Sequence, residues 1–182
     1  MNGIEAKLWG DYLKPAYVHN AGMESSYTLR TAGVADAGEI ARHRGLMFLD
    51  MGLVIQSDAE ALTVASAPWF ADVMERGQYK GWVVELEGQI VAGGGLHLSE
   101  VGPLPGCLRV VRSAHIANIY THARHRKQGI ARSLLNEMLN WCRESKIDQV
   151  TLTSSSEGRA LYTSLGFVPQ PDGMLLRLEQ KR

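Results

Sequence analysis

Apolar positions along the chain change period several times, and the changes outline the elements. Tyr27-Thr28-Leu29-Arg30-Thr31-Ala32 alternates as a short strand does. Asp36, with Glu39 three residues on, has the spacing of an N-terminal capping box, Asp standing where Ser or Thr is usual. The helix it opens would turn Ile40, Ala41, Met47 and Phe48 inward. A second helix is predicted from about Asp58 to Arg76, broken or restarted at Pro68. Apolar residues 82–86 and 90–93 flank polar Glu87-Gly88-Gln89 and predict a hairpin. Its second strand could run through Leu96 and Leu98 until Gly102, Pro103, Pro105 and Gly106 impose a loop.

The second half is patterned more sharply. Residues 115–121 alternate as a strand, and the basic, glycine-containing segment Arg124-His125-Arg126-Lys127-Gln128-Gly129 follows directly. Ile130, Leu134, Met138 and Trp141, with Ala131, Leu135, Leu139 and Cys142, then mark one face of an amphipathic helix. Residues 149–153 predict a strand and 157–165 a helix closed by Gly166 in a left-handed cap. Phe167-Val168 and residues 174–178 are expected to form a last strand pair. Strands and helices alternate in mixed α/β order, without internal repeat or low-complexity tract. Residues 1–26 hold Trp9, Tyr12 and Tyr17 but follow no sustained period. They read as an N-terminal extension, with Met23 an alternative start and a single domain over 27–182.

Composition narrows the class. The 182 residues suit one domain, and 45% hydrophobic with 21% charged residues is ordinary globular usage. Nineteen Lys+Arg balance nineteen Asp+Glu, whereas a nucleic-acid or anionic-membrane binder would usually carry a basic surplus. Two cysteines, Cys107 and Cys142, are too few for a disulfide framework or a structural zinc site. No apolar run approaches the roughly 20 residues that cross a bilayer, and the first residues lack the layout of a secretory signal. A cytoplasmic protein is the expectation.

The strand–loop–helix unit at 115–142 holds the most chemistry. A helix N-terminus offers unsatisfied N–H groups and a positive dipole end, which suits phosphate. Gly129 would let a ligand approach the backbone, small Ala131 leaves the first turn open, and Arg124, Arg126, Lys127 and Arg132 add charge. Taken alone, the same residues serve equally as a tight turn with a solvated basic face. Phosphate-loop and dinucleotide spacings are both absent. His122-x-x-His125 has a metal-like spacing with no Cys or carboxylate to complete a set, so no metal is expected. His97, Glu100 and His115 are further candidate bases, and Cys142 falls on the apolar helix face.

Arg126-Lys127-Gln128-Gly129-Ile130-Ala131 resembles the Gln/Arg-x-x-Gly-x-Gly/Ala motif of the GNAT N-acetyltransferase superfamily, in the same strand–loop–helix context. A second family feature is matched downstream by Leu161-Tyr162 and Leu165-Gly166-Phe167, with Gly158 where a small Ala is usual. The resemblance spans roughly residues 27–178. It implies a GNAT-like fold, α/β (α+β) in class, with a mixed, mostly antiparallel central sheet flanked by helices. It implies acetyl-CoA as cosubstrate and no metal. Backbone N–H groups near Ile119, Tyr120 and Thr121 would receive the thioester carbonyl, and those of Arg126, Lys127, Gln128, Gly129, Ile130 and Ala131 the pyrophosphate. Tyr162 would protonate the leaving thiolate. Ser155 stands where many relatives have Asn, and Ala123 where many have Pro. A Glu often serves as base on the strand before the motif, where this chain has Asn118 and His115. Residues Met47, Phe48, Asp50, Met51 and Trp69 fall in the segment that lines the acceptor groove in relatives, and ordinary helix packing would account for them equally.

The leading expectation is thus an acetyl-CoA-dependent N-acetyltransferase acting on a small-molecule or peptide amine, with a homodimer in keeping with the family. An inactive acyl-CoA-binding sensor of the same fold is the alternative, favoured by the missing Glu. Nucleic-acid binding through 122–132 is disfavoured by the zero net charge and the absence of interleaved aromatics.

Overall fold

In a computed structural model the described residues are 17–18 (backbone only), 26–103, 105 and 108–170. The strand expected at 174–178, and Cys107, lie outside them. One six-stranded sheet runs in chain order through β1 (Tyr17–Val18), β2 (Thr28–Thr31), β3 (Tyr79–Leu86), β4 (Gln89–Val101), β5 (Val111–Thr121) and β6 (Gln149–Leu152). Every neighbouring pair is antiparallel except β5 with β6. The parallel step needs a crossover, which the amphipathic helix at Ile130–Glu144 supplies. β1 lies inside the segment read as an extension and pairs with β2 as the outermost strand.

Among the described residues four α-helices flank the sheet: α1 (Ala37–Asp50), α2 (Gln56–Glu75), α3 (Ile130–Glu144) and α4 (Arg159–Ser164). On one face Ile40 and Ala41 of α1 and Phe70, Val73 and Met74 of α2 enclose Tyr79. On the other, Ile130, Leu134, Leu135, Met138 and Cys142 of α3 pack on Trp82, Leu96 and Ile116. Each fully buried side chain of this size contributes about 1.5–3 kcal/mol. With both faces covered, the first six residues of β3 are all buried, which is why alternation fades there.

Local chemistry explains the turns. Glu87 and Gly88 both have positive φ (52° and 77°), the conformation of a tight hairpin whose twist matches its strands. Asp36 occupies the N-cap position of α1, but its side chain makes no capping hydrogen bond to that helix. It ends a short 3-10 turn, accepts the Gly33 N–H at 2.8 Å, and pairs with Arg30, which also holds Glu85. That guanidinium keeps the Asp36 carboxyl below its usual range and ties the start of α1 to β2 and β3. Pro68 neither breaks nor restarts α2, which is continuous from Gln56 to Glu75. The last helix is shorter than expected, and Gly166 (φ 93°) follows it in the left-handed region. Phe167 and Val168 form no strand. The Phe167 ring packs edge-on against Tyr162, and its N–H bonds the Tyr162 carbonyl to close the helix.

Candidate active site

The site begins with a defect in the sheet. β4 and β5 pair in register at Gly93–Tyr120 and again at Gly95–Ala117, so β5 has one residue more than β4 across the interval. The surplus is a β-bulge at Asn118, which takes a positive φ of 60°. Opposite it, a Cβ on Gly94 would come within 2.4 Å of Ile119, and one on Gly95 within 2.3 Å of Tyr79. Two consecutive glycines therefore let Ile119 and Tyr79 lie over β4 on opposite faces.

Beyond the bulge the sheet opens. Pairing of β5 with β6 stops at Ile116–Leu152, while β5 continues to Thr121. A cleft of about 1230 Å3 occupies the gap. One wall is the loop after β5, the first turn of α3 and the segment from Thr153 to Tyr162; the other is the C-terminal half of α1.

At the loop wall, Lys127 and Gly129 are left-handed (φ 63° and 78°), and Gly129 is the N-cap of α3. No side chain caps this helix and its first turn holds no acidic residue, so the leading N–H groups are available to an anion. The loop is tied down by its neighbours. Tyr27 donates its hydroxyl hydrogen to Gln128 Oε1 at 2.6 Å and lies 2.9 Å from His125 Nδ1. Arg126 donates to the Thr121 carbonyl at 2.9 Å and pairs with Asp50, joining the loop to the end of α1. Arg132 reaches Ser164 Oγ at 2.9 Å and links α3 to α4.

Of the site residues expected from sequence, Ile119, Thr121, Arg126, Lys127, Gly129, Ile130, Ala131, Ser155 and Tyr162 all line this cleft. Tyr120 and Gln128 do not. The alternation of β5 turns Tyr120 away, where it is 6% exposed against the His43 ring, and Gln128 is spent on Tyr27. Any part these two play falls to their backbone N–H groups. Ser155 Oγ accepts the Gly158 N–H at 3.2 Å. A Cβ on Gly158 would stand 2.9 Å from the Tyr162 ring, so the glycine in place of Ala gives that ring its seat. Burial raises the Tyr162 phenol above its ordinary pKa and keeps it protonated.

The opposite wall carries Met47, Phe48, Asp50 and Met51, four of the five residues for which groove lining and ordinary helix packing stand equal in the sequence. Trp69 instead lies over His97, ring centroids 5.4 Å apart. Tyr79, His97, His115 and Thr151 are successive cross-strand partners on β3, β4, β5 and β6 and so form one row. Glu100 sits apart, exposed near the end of β4 opposite Arg112. His115 reaches the cleft, and its Nδ1 is 2.9 Å from Thr151 Oγ1. Burial, aided by His115 and Arg44, pushes the His97 imidazole down to about 4. Asn118 cannot take up a proton, and its Oδ1 accepts from Arg44 at 2.6 Å. Arg44 drew no attention in the sequence, because its partner lies 74 residues away.

A family model for the acetyltransferase (GNAT) domain matches residues 77–169. The chain belongs to the GNAT acetyltransferase family. Its sheet and helices match a GCN5-related N-acetyltransferase from Ralstonia eutropha JMP134 at 27% identity and a TM-score of 0.74, over 83% of this chain and 98% of that one. A predicted acetyltransferase from Clostridium acetobutylicum, solved with acetyl-CoA, matches at 24% identity and a TM-score of 0.73, over 83% and 96%. A glucosamine-6-phosphate N-acetyltransferase from Arabidopsis thaliana shares the fold at 18% identity and a TM-score of 0.61, over 85% and 100%. No curated protein matches the sequence. The GNAT domain thus covers β3 to α4, the part of the chain that contains the bulge, the opened sheet and the uncapped helix. Among the described residues no helix is long and apolar enough to cross a membrane, and no group of three His, Cys, Asp or Glu could hold a metal ion.

Proposed function

We propose that the protein is an acetyl-CoA-dependent N-acetyltransferase that acetylates a primary amine by direct attack on the thioester. The observation that carries this reading is the cleft where β5 parts from β6, with the uncapped α3 N-terminus on one side and Tyr162 beside it. The cradle fits a pyrophosphate. Left-handed Lys127 and Gly129 present backbone donors, Lys127 adds charge, and no carboxylate in the first turn opposes an anion. An acyl-pantetheine chain would lie along the β5 segment that β6 leaves unpaired. The N–H groups of 119–121 are the candidates to stabilise the oxyanion as it develops.

The amine must be neutral to attack. Among the β5 side chains lining the cleft, His115 is the one able to take up a proton. The tautomer that donates from Nδ1 to Thr151 leaves Nε2 as acceptor. Once the amine has added, the carbon–sulfur bond breaks and the electron pair goes to sulfur. Tyr162 supplies the proton that turns the thiolate into a thiol.

The test is calorimetric titration with acetyl-CoA, followed by measurement of free CoA release with a panel of primary amines. Binding with amine-dependent release is expected. Binding without release from any amine would replace the enzyme with an acyl-CoA sensor, and failure to bind would overturn both.

A further inference from the structure

Arg44 is the unexplained charge in this cleft. It sits on α1, half-buried, lining the cavity. Its guanidinium donates one hydrogen bond to the neutral amide oxygen of Asn118 at 2.6 Å and lies 5.0 Å from the centroid of the Phe48 ring. No carboxylate among the described residues pairs with it: Glu39 is held by Arg42, Asp36 and Glu85 by Arg30, and Asp50 by Arg126. Besides Asn118, the sheet side chains that interact with it are the Tyr79 phenol, which burial holds protonated, and the His97 imidazole, and neither brings negative charge at neutral pH. Burial without a counter-ion is costly to a cation, as its lowered pKa reflects. A planar fork with most of its donors unspent suits a carboxylate or phosphate.

Its place in the cleft separates it from the cofactor cradle. Arg44 lies six residues before Asp50, the residue that meets the loop through Arg126, and an α-helix rises about 9 Å over that interval. Through Asn118 it adjoins the bulge, one residue before the N–H groups assigned to the thioester oxygen. An anion held by Arg44 therefore lies close to the reacting carbon, and only a short spacer fits between it and the amine.

We infer that the acceptor is a small primary amine carrying its own anionic group, a carboxylate or phosphate a few bonds from the nitrogen, and that Arg44 binds that group. This rests on the acetyltransferase reading and names its substrate class.

The experiment compares matched amines on the acetyl-CoA-loaded protein: glycine, β-alanine and glutamate against their amides, and phosphoethanolamine against ethanolamine. The amides have the less basic nitrogens, so intrinsic reactivity runs against the expected preference. The kcat/KM for at least one anionic member should exceed that of its neutral partner by about tenfold or more. Which pair shows the preference tells carboxylate from phosphate. Arg44→Gln keeps a donor for Asn118 and removes the charge. It should reduce the preference to below about threefold while leaving acetyl-CoA affinity within about threefold. Arg44→Lys, a charge without the fork, should recover part of it. Calorimetry of the same amines on the CoA complex, which has no acetyl group to transfer, gives a readout free of turnover. Weaker binding of the anionic probes to Arg44→Gln would uphold the site even if no amine were acetylated, the case in which the function proposed above fails alone. Turnover or binding of neutral amines equal to that of every anionic partner overturns the inference and leaves the acetyltransferase standing. An unchanged preference in folded Arg44→Gln overturns the assignment to Arg44.

Discussion

The two walls of the cleft are built in different ways. The loop after β5, the first turn of α3 and the stretch from Thr153 to Tyr162 come from two continuous runs of chain, and their glycines sit where the backbone needs them. The opposite wall is the C-terminal half of α1, and beside it runs the polar row Tyr79, His97, His115 and Thr151, drawn from four strands, of which His115 reaches the cleft. A wall made of local geometry can hold a ligand common to a whole family. A wall made of side chains far apart in sequence can change one residue at a time, as substrate selection requires. If this contrast is sound, damage to the first wall should affect every acceptor alike, and damage to the second should depend on the acceptor.

The largest effect is expected at Tyr162. An ordinary thiol titrates near 8.5 and a phenol near 10, so passing the proton to the departing thiolate is uphill by roughly 1.5 units before burial widens the gap. The transfer therefore helps only when concerted with carbon–sulfur cleavage, and general acid catalysis of this kind is worth about 10²–10⁴-fold. Tyr162→Phe keeps the ring against Phe167 and removes the hydroxyl. The kcat should fall within or somewhat below that range for every amine, with acetyl-CoA affinity changed by less than about threefold. Wild-type turnover in steady-state CoA release would reduce Tyr162 to a packing residue.

Next comes the cradle. Gly129→Glu places a negative charge and a side chain at the α3 N-terminus, and acetyl-CoA affinity should drop at least about tenfold, or 1.4 kcal/mol. A residue other than glycine at φ 78° also brings roughly 1–2 kcal/mol of backbone strain. Gly129→Ala is the control for that strain, and calorimetry should find it the milder of the two. Equal affinities for the Ala and Glu variants would remove the pyrophosphate from this turn.

What could be read from sequence follows the same division. The common placement of Gly129, Ala131 and Tyr162 along the cleft is legible in sequence, because the spacing that singles them out is the spacing that builds the turn and the helix after it. The amphipathic α3 was legible because it packs by one face only. Asn118 stands out in sequence for the carboxylate it replaces, but its bulge depends on glycines some 24 residues earlier, a pairing that no local pattern marks. Arg44 was invisible, since nothing local separates a helix arginine in a cleft from one in solvent. Pro68 misled because propensity alone argues for a break, whereas packing of α2 beneath Tyr79 carries the helix through. Tyr120 and Gln128 fell to tertiary partners, His43 and Tyr27, that no motif records.

A smaller effect is expected at the sheet edge opposite β6. A chain beginning at Met23 loses β1, whose two residues pair with β2. The melting temperature should fall by a few degrees at most, because about 1 kcal/mol moves it roughly 2–4 °C in a domain of this size. Acetyl-CoA affinity should stay the same. Insolubility or a loss of many degrees, read by thermal denaturation, would make residues 1–22 part of the folded unit.

The smallest effect tests the field behind the acceptor wall. Burial is the main reason the His97 imidazole is pushed from 6.5 down to about 4, with His115 and Arg44 adding to it. A histidine whose folded pKa lies below its unfolded value resists protonation in the native state, so the unfolded chain binds the extra proton first. Its contribution is fully present above pH 6.5 and is lost as the pH falls toward 4. His97→Asn has no such proton to take up, and its melting temperature should therefore drop less than that of the wild type between pH 7 and pH 4.5. Imidazole titration by NMR gives the direct reading. The His97 midpoint should lie well below 6, and Arg44→Gln should raise it by removing a neighbouring positive charge. The same substitution should leave the loop wall untouched, since Asp50 and Arg126 separate it from Arg44. A His97 midpoint near 6.5 in the wild type would mean that this wall is wetter and less positive than its geometry implies, and the contrast between the two walls would narrow to their sequence spacing alone.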